Sequence, residues 1–359
     1  MRTLLLTPGP LSTSEATRAA LGRDWGSREP AFIALTSRVR VRLCGLAGGT
    51  PGHETVLLAG SGTTAVEAAI GSLVPRDGRL LVLVNGAYGQ RMVTIAERIG
   101  RDVEALRWAE TEPVAAAQVA ARLRDDRRIT DVAVVHCETT TGLLNPLEAI
   151  AGVVEAAGRR LLVDAMSSFG ALPLDLARLR ASAVMASANK CLEGVPGVAF
   201  VIAERTHLRN SRGCSPSLTL DLEAQWRGFE ANGQWRFTPP VQVLAALDAA
   251  LDQLDAEGGP PARLARYRTN QAALVHGMRA LGFETLLPDA LQAPIIVTFT
   301  EPQGRFDFAS FYEALAGRGI VIYPGKLTER PSFRIGCIGA IDEQDIARAV
   351  ASVAWVRKG

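Results

Sequence analysis

Val184-Met185-Ala186-Ser187-Ala188-Asn189-Lys190-Cys191-Leu192-Glu193-Gly194-Val195-Pro196-Gly197 runs from an apolar strand through a lysine into a Gly/Pro-rich turn. A second apolar run, Val198-Ala199-Phe200-Val201-Ile202-Ala203, follows at once. A lysine at the mouth of an apolar sheet is poorly hydrated, which lowers its amine pKa and favours the neutral nucleophile. That is the setting in which a lysine forms a Schiff base with a carbonyl compound. Taken alone, Lys190 also fits a lysine that closes a strand and points to solvent.

Working outward, strand-length apolar runs recur at residues 55–58, 80–84, 132–135, 161–163, 184–187 and 198–202. Helical stretches lie between most of them, at 63–73, 91–99 and 146–157, and a striped segment at 30–47 carries Phe32, Leu35, Val39 and Leu43. Continuously apolar strands joined by helices predict an α/β fold with a large, mostly parallel sheet covered on both faces. Residues 212–240 read as irregular and hold two tryptophans, which suggests function or an interface. A helix from 241 to about 256 leads to a smaller α/β unit with strands near 295–299, 320–323 and 333–335 and a terminal helix from about Asp342. The expected division is a large domain with an N-terminal arm over 1–255 and a small C-terminal α/β domain over 256–359, since 359 residues exceed one simple core.

Composition narrows the function classes. Net charge is +2 with 21% charged residues of both signs, which points away from nucleic acid and anionic membrane surfaces. Three consecutive leucines before Pro8 are too short for a signal peptide, and no run reaches membrane-spanning length. Five scattered cysteines and four scattered histidines form no Cys-x-x-Cys pair and no zinc pattern. The expectation is a reduced, cytoplasmic, metal-free protein.

In an open parallel sheet, ligands bind beyond the carboxyl ends of the strands. The residues just after the predicted strands are Gly60-Ser61-Gly62-Thr63, Asn85 to Gly89, His136 to Gly142, Asp164, and Asn189-Lys190. Small or polar groups thus converge on one edge. Gly60–Thr63 opens a helix, where backbone N–H groups, hydroxyls and the helix dipole suit a phosphate, although a ligand-free tight turn would read the same way. Residues 60–65 also satisfy Gly-x-Gly-x-x-Ala, but a dinucleotide fold needs an acidic residue where Asn85 stands. Asp164 ends an apolar strand, so its carboxylate needs a partner; a pyridinium nitrogen is one, and a cap on the next element is another. Tyr88, in a loop flanked by glycines, could lay its ring on a planar cofactor or fill a core or rim position.

Together these segments resemble the fold-type I pyridoxal-phosphate enzymes of the class V aminotransferase group. The resemblance runs through Leu6-Thr7-Pro8-Gly9-Pro10-Leu11, Gly60–Thr63, Asn85–Gly89, His136–Gly142, Val163–Gly170, Ser187–Cys191, Gln234–Thr238, Tyr323–Lys326 and Phe333–Gly336, so it spans nearly the whole chain. It implies pyridoxal 5'-phosphate held by Lys190, which later moves the proton, with Asp164 on the ring nitrogen and Tyr88 over the ring. Ser61, Gly62 and Thr63 would hold the phosphate, helped by Ser187, and Thr141 would lie near the ring substituents. Arg334 would grip a carboxylate through the two-point geometry of a guanidinium. The segment Trp235–Thr238 would reach the neighbouring site of a homodimer, with Thr238 on its cofactor. Ser187–Cys191 and Trp235–Thr238 narrow the resemblance to the branch whose amino donor is 2-aminoethylphosphonate and whose acceptor is pyruvate. The phosphonate is left unassigned: either Arg334 would serve both partners in turn, or Arg28, Arg91 or Lys326 would help. Alternatives are an alanine–glyoxylate or serine–pyruvate aminotransferase, a cysteine desulfurase using Cys337, an NAD-dependent dehydrogenase, and a non-enzymatic α/β binding protein.

Overall fold

A computed structural model describes residues 2–49, 51–304, 306–326 and 330–357. Seven strands build the central sheet: β1 (His53–Gly60), β2 (Arg79–Val84), β3 (Asp102–Arg107), β4 (Ile129–Val135), β5 (Arg160–Asp164), β6 (Ala183–Ser187) and β7 (Gly197–Glu204). Their order is β1-β7-β6-β5-β4-β2-β3. β7 runs antiparallel to both β1 and β6, and the remaining pairs are parallel. Alternation along each strand feeds two cores. Leu81, Val134, Val163, Val184 and Phe200 face one; Leu80, Val82, Ala133, Leu162 and Val201 face the other. Each fully buried Leu, Val or Ile contributes about 1.5–3 kcal/mol of transfer free energy, which is why the apolar runs are so continuous here.

Helices α1 (Pro30–Leu46), α2 (Gly62–Leu73), α3 (Ala87–Arg98) and α4 (Val241–Glu257) cover this sheet. Phe32, Leu35, Val39 and Leu43 of α1 join Leu244, Leu247 and Leu251 of α4 on one face. Ala65, Ala69 and Ile70 of α2 and Met92, Val93 and Ala96 of α3 cover the other. Gly258, at φ +105°, ends α4, and α5 (Gly259–Ala280) starts immediately. Leu274 and Met278 of α5 pack instead on an antiparallel sheet of order β8-β10-β9, formed by β8 (Ile296–Thr300), β9 (Tyr323–Pro324) and β10 (Ser332–Gly336), and on α6 (Glu343–Val356). Leu4–Leu5 pairs in parallel with Ile320–Val321, so the start of the chain packs with this smaller core before crossing to the large sheet.

Three readings need correction. β3 escapes the hydrophobic pattern because it is a half-exposed edge strand carrying Glu104 and Arg107. Residues 212–240 are not wholly irregular: a helix spans Leu222–Asn232, capped by the Asp221 carboxylate at Ala224 N and closed by Gly233 at φ +72°. Tyr88 lies in the first turn of α3, not in a loop, because that helix begins four residues earlier than its apolar stripe.

Candidate active site

The carboxyl ends of β1, β5 and β6 and the first turns of α2 and α3 enclose a cavity of about 440 Å³. Seven of the expected residues line it: Ser61, Gly62, Thr63, Tyr88, Asp164, Ser187 and Lys190. Arg91, Met166 and Asn189 complete the polar and apolar walls.

Lys190 Nζ donates to the carbonyl of Pro8 at 2.6 Å and to that of Gly9 at 3.4 Å. The N-terminal segment therefore lies over the lysine. It comes so close that a Cβ on Gly9 (φ +116°) would stand 2.6 Å from Lys190 Cδ and 2.9 Å from Nζ. Burial lowers the Lys190 amine pKa, against the attraction of Tyr88, Cys191 and Asp164. The carboxyl of Asp164 is 4% exposed and pushed up to about 6, chiefly by burial. Its Oδ1 accepts the amide of Met166 at 2.8 Å. The cavity thus holds an amine whose pKa burial lowers and a carboxyl that gains from any cationic partner placed beside it.

Gly60, at φ +146°, turns β1 into α2, and the backbone at Gly62 lies so close to the Met166 side chain that a Cβ there would require that side chain to shift. Amides at the start of a twelve-residue helix face the cavity mouth there, suited to an anion. Arg91, three residues after Tyr88 on α3, donates from Nη1 to Thr63 Oγ1 at 3.2 Å and sits 4.8 Å from the Tyr88 ring centroid. Lys326 Nζ lies 5.2 Å from the same centroid. Burial acts to raise the Tyr88 phenol pKa but is outweighed by Lys190, a hydrogen bond with Thr139, Lys326 and Arg334, so the net direction is down. Ser187 Oγ donates to Asn189 Oδ1 at 2.9 Å, tying the end of β6 to the lysine turn.

Three expected residues stand elsewhere. Arg334 is buried behind Tyr88; Nη1 donates to Thr139 O at 2.8 Å and Nε to Pro324 O at 3.0 Å. Burial lowers its pKa. Thr141 is fully buried and accepts the amide of Leu143 at 3.3 Å, away from the cavity wall. Thr238 is exposed and lines a second cavity of about 320 Å³ with Ser27, Arg28 and residues 234–239.

Sequence reading passed over Glu138, whose buried carboxylate touches the α3 turn; Arg91, offered as a cation for the phosphonate, does line the cavity. Arg91 had a signal, since its three-residue spacing from Tyr88 shares a helix face once α3 is extended. Glu138 had none. The rival readings find little footing. Asn85, which stands where a dinucleotide fold wants an acid, exchanges hydrogen bonds with Asn145 inside the core. Cys337 is fully buried, and burial raises its thiol pKa, opposite to what a nucleophile needs. Among the described residues no cluster of ligating side chains could hold a metal ion.

A parallel-rich sheet that gathers a buried lysine, a strand-end aspartate and a helix N-terminus at one edge has the architecture of the fold-type I aminotransferases. Solved structures agree. Pyridoxamine–pyruvate aminotransferase from Mesorhizobium loti superposes at TM-score 0.91 with 26% identity, over 100% of this chain and 93% of that one. Alanine–glyoxylate aminotransferase from Nostoc sp. superposes at 0.92 with 25% identity, over 99% and 96%. Residues 14–342 match the aminotransferase class-V family model, and the chain belongs to that family. Among curated relatives, a 2-aminoethylphosphonate–pyruvate transaminase of Burkholderia thailandensis is 54% identical over 98% of this chain and 95% of its own. One of Pseudomonas fluorescens is 51% identical over 98% and 96%.

Proposed function

We propose that the protein is a pyridoxal-phosphate-dependent transaminase that transfers the amino group of 2-aminoethylphosphonate to pyruvate, yielding phosphonoacetaldehyde and L-alanine. The observation that carries this is identity of 50–54% along almost the full chain to relatives bearing that name. The cavity supports the cofactor through its donor set: a buried amine, a buried carboxyl in want of a cation, and a helix N-terminus open to an anion.

Bound there, pyridoxal phosphate supplies a ring that accepts electrons from the substrate carbon when that carbon loses its proton. Lys190 would hold the group through its amine and, once displaced by the substrate amine, would carry the proton from the substrate carbon to the cofactor carbon that receives the amino group. Burial keeps that amine basic yet unprotonated more readily than a solvated lysine. Asp164 would pair with the ring nitrogen and keep it protonated. Ser61, Gly62 and Thr63 hold the phosphate, with Ser187 beside them, and Tyr88 covers the ring. Arg334 binds the carboxylate of pyruvate and alanine and, in turn, the phosphonate. The exposed Thr238 and its neighbours fit a homodimer in which this segment completes the partner's site. Five free thiols suit a reducing cytoplasm.

The test is Lys190→Ala beside a donor panel. The variant should lose the cofactor's visible absorbance, and turnover should fall on the order of 10² to 10⁴ from proton transfer alone. An unmutated enzyme that prefers alanine or serine with glyoxylate over the phosphonate amine would keep the cofactor and overturn the substrate.

A further inference from the structure

Glu138 follows β4 and lies with 0% exposure between two parts of the site. Its Oε1 accepts the Thr140 amide at 3.0 Å and the Thr140 hydroxyl at 2.6 Å. Its Oε2 accepts the amides of Tyr88 at 3.3 Å and Gly89 at 3.4 Å. Thr140 Oγ1 in turn accepts the amide of Ala87 at 3.0 Å. Three successive amides of the first turn of α3, Ala87 to Gly89, are thus held by this pair, although Gly86 at the N-cap offers no side chain to cap them. A Cβ on Gly86 would stand 2.7 Å from Glu138 Oε2, so glycine there is what lets the carboxylate reach the helix.

All four contacts donate to the carboxylate and favour its charged form, working against burial, which is the larger influence and leaves the Glu138 carboxyl raised above its ordinary value. A buried carboxylate is costly unless satisfied in this way, and a helix-capping role could be filled by an uncharged serine or asparagine in Gly86's place. The carboxylate instead comes from a segment about fifty residues away, whose next residue, Thr139, also receives Arg334 Nη1 at 2.8 Å. The same segment therefore binds the helix turn that presents Tyr88 and the arginine packed behind it.

We propose that Glu138 is a positioning residue: its carboxylate holds the first turn of α3, and through that turn the Tyr88 ring, in register with the cofactor cavity. The inference rests on the transaminase reading, and it makes Glu138 act on cofactor binding through Tyr88, not by contact.

A double-mutant cycle on cofactor affinity tests it. The apoenzymes of the unmutated protein, Glu138→Gln, Tyr88→Ala and the double variant are titrated with pyridoxal phosphate, followed by absorbance, after circular dichroism confirms folding. Glutamine puts an amide N–H₂ against N–H donors in either orientation. Loss of this bond set should raise the cofactor Kd about 10-fold or more in the native background. In the Tyr88→Ala background the same change should raise Kd by less than about 2-fold, because the ring it positions is gone. An equal factor in both backgrounds would make Glu138 merely structural and overturn the proposal. If Glu138→Gln does not fold, Thr140→Val, which removes the hydroxyl link to Ala87 N, is put through the same cycle with the same two outcomes. Unmutated protein that takes up no cofactor would overturn the transaminase reading and this proposal with it. Additivity in a protein that does bind the cofactor overturns this proposal alone.

Discussion

Replacing Arg334 with lysine separates what this side chain does for the fold from what it offers a substrate. Its guanidinium carries five N–H donors. Two are spent on Thr139 O and Pro324 O, and three remain, enough for two-point contact with a planar anion. Lysine offers three donors in all, so it can serve the two carbonyls and leave at most one for the substrate. The loss is one charge-assisted hydrogen bond, about 1.5–3 kcal/mol, or roughly 10- to 150-fold in kcat/KM. Because the bond is made before and during the chemistry, the loss should fall mainly on KM. Alanine would be a poorer probe, since it leaves two buried carbonyls unpaired. Single-turnover kinetics on each half-reaction, phosphonate amine with the aldehyde form and pyruvate with the amine form, provide the assay. Both half-reactions should weaken. A variant whose pyruvate half-reaction keeps its native KM would refute Arg334 as the carboxylate ligand.

Two further expectations concern the protein without its cofactor. Burial lifts the Asp164 carboxyl from 3.8 to about 6, so between those values the folded state binds a proton that the unfolded state lacks. Stability attributable to Asp164 therefore falls as pH rises through that window, and Asp164→Asn should gain on the unmutated protein by roughly 2 kcal/mol between pH 4 and 6, levelling off above about pH 7. His136, pushed down to about 4 by burial, has the opposite sign over much of the same range, so the difference between variant and parent is the quantity to follow by urea unfolding; a difference that does not change with pH would sink the assignment. Behind the lysine turn, Glu193 is fully buried at φ +60° and accepts Arg266 Nη2 at 2.8 Å, Tyr267 Oη at 2.6 Å and Gln253 Nε2 at 3.0 Å. Glu193→Gln should cost about 3–5 kcal/mol by leaving the fully buried Arg263 and the half-buried Arg266 to share Glu257 alone. A loss below about 1 kcal/mol in the urea midpoint, at unchanged slope, would show that the cluster is not a connected unit.

How much could be read in advance depended on whether a residue's partners were near it in sequence. Lys190 and Asp164 follow apolar strands, and the glycines of 60–62 precede a helix, so each carried a local mark of its place. Tyr88 did not. Gly86 and Gly89 read as a loop, yet the helix begins at Ala87 because Glu138 and Thr140 take up its first amides. The helix Leu222–Asn232 was hidden by the glycine- and proline-rich stretches on either side of it, although Asp221 and Gly233 mark its ends. β3 was hidden because one edge and much of one face meet solvent, which relaxes the demand for apolar residues.

The chain's own order of apolar runs, helical stripes and polar strand ends was enough to determine a doubly covered sheet and the edge where chemistry would gather, since burial on both faces and the strand-end rule act on each element separately. The contacts that shape the site belong to the tertiary structure: Pro8 O on Lys190 Nζ across 182 residues, Thr139 O on Arg334 across 195, and Glu138 on the turn that carries Tyr88. These are hydrogen bonds between buried groups whose partners leave no periodic trace along the sequence. Only the packed chain brings each donor to its acceptor, and only there does leaving one unmade become costly.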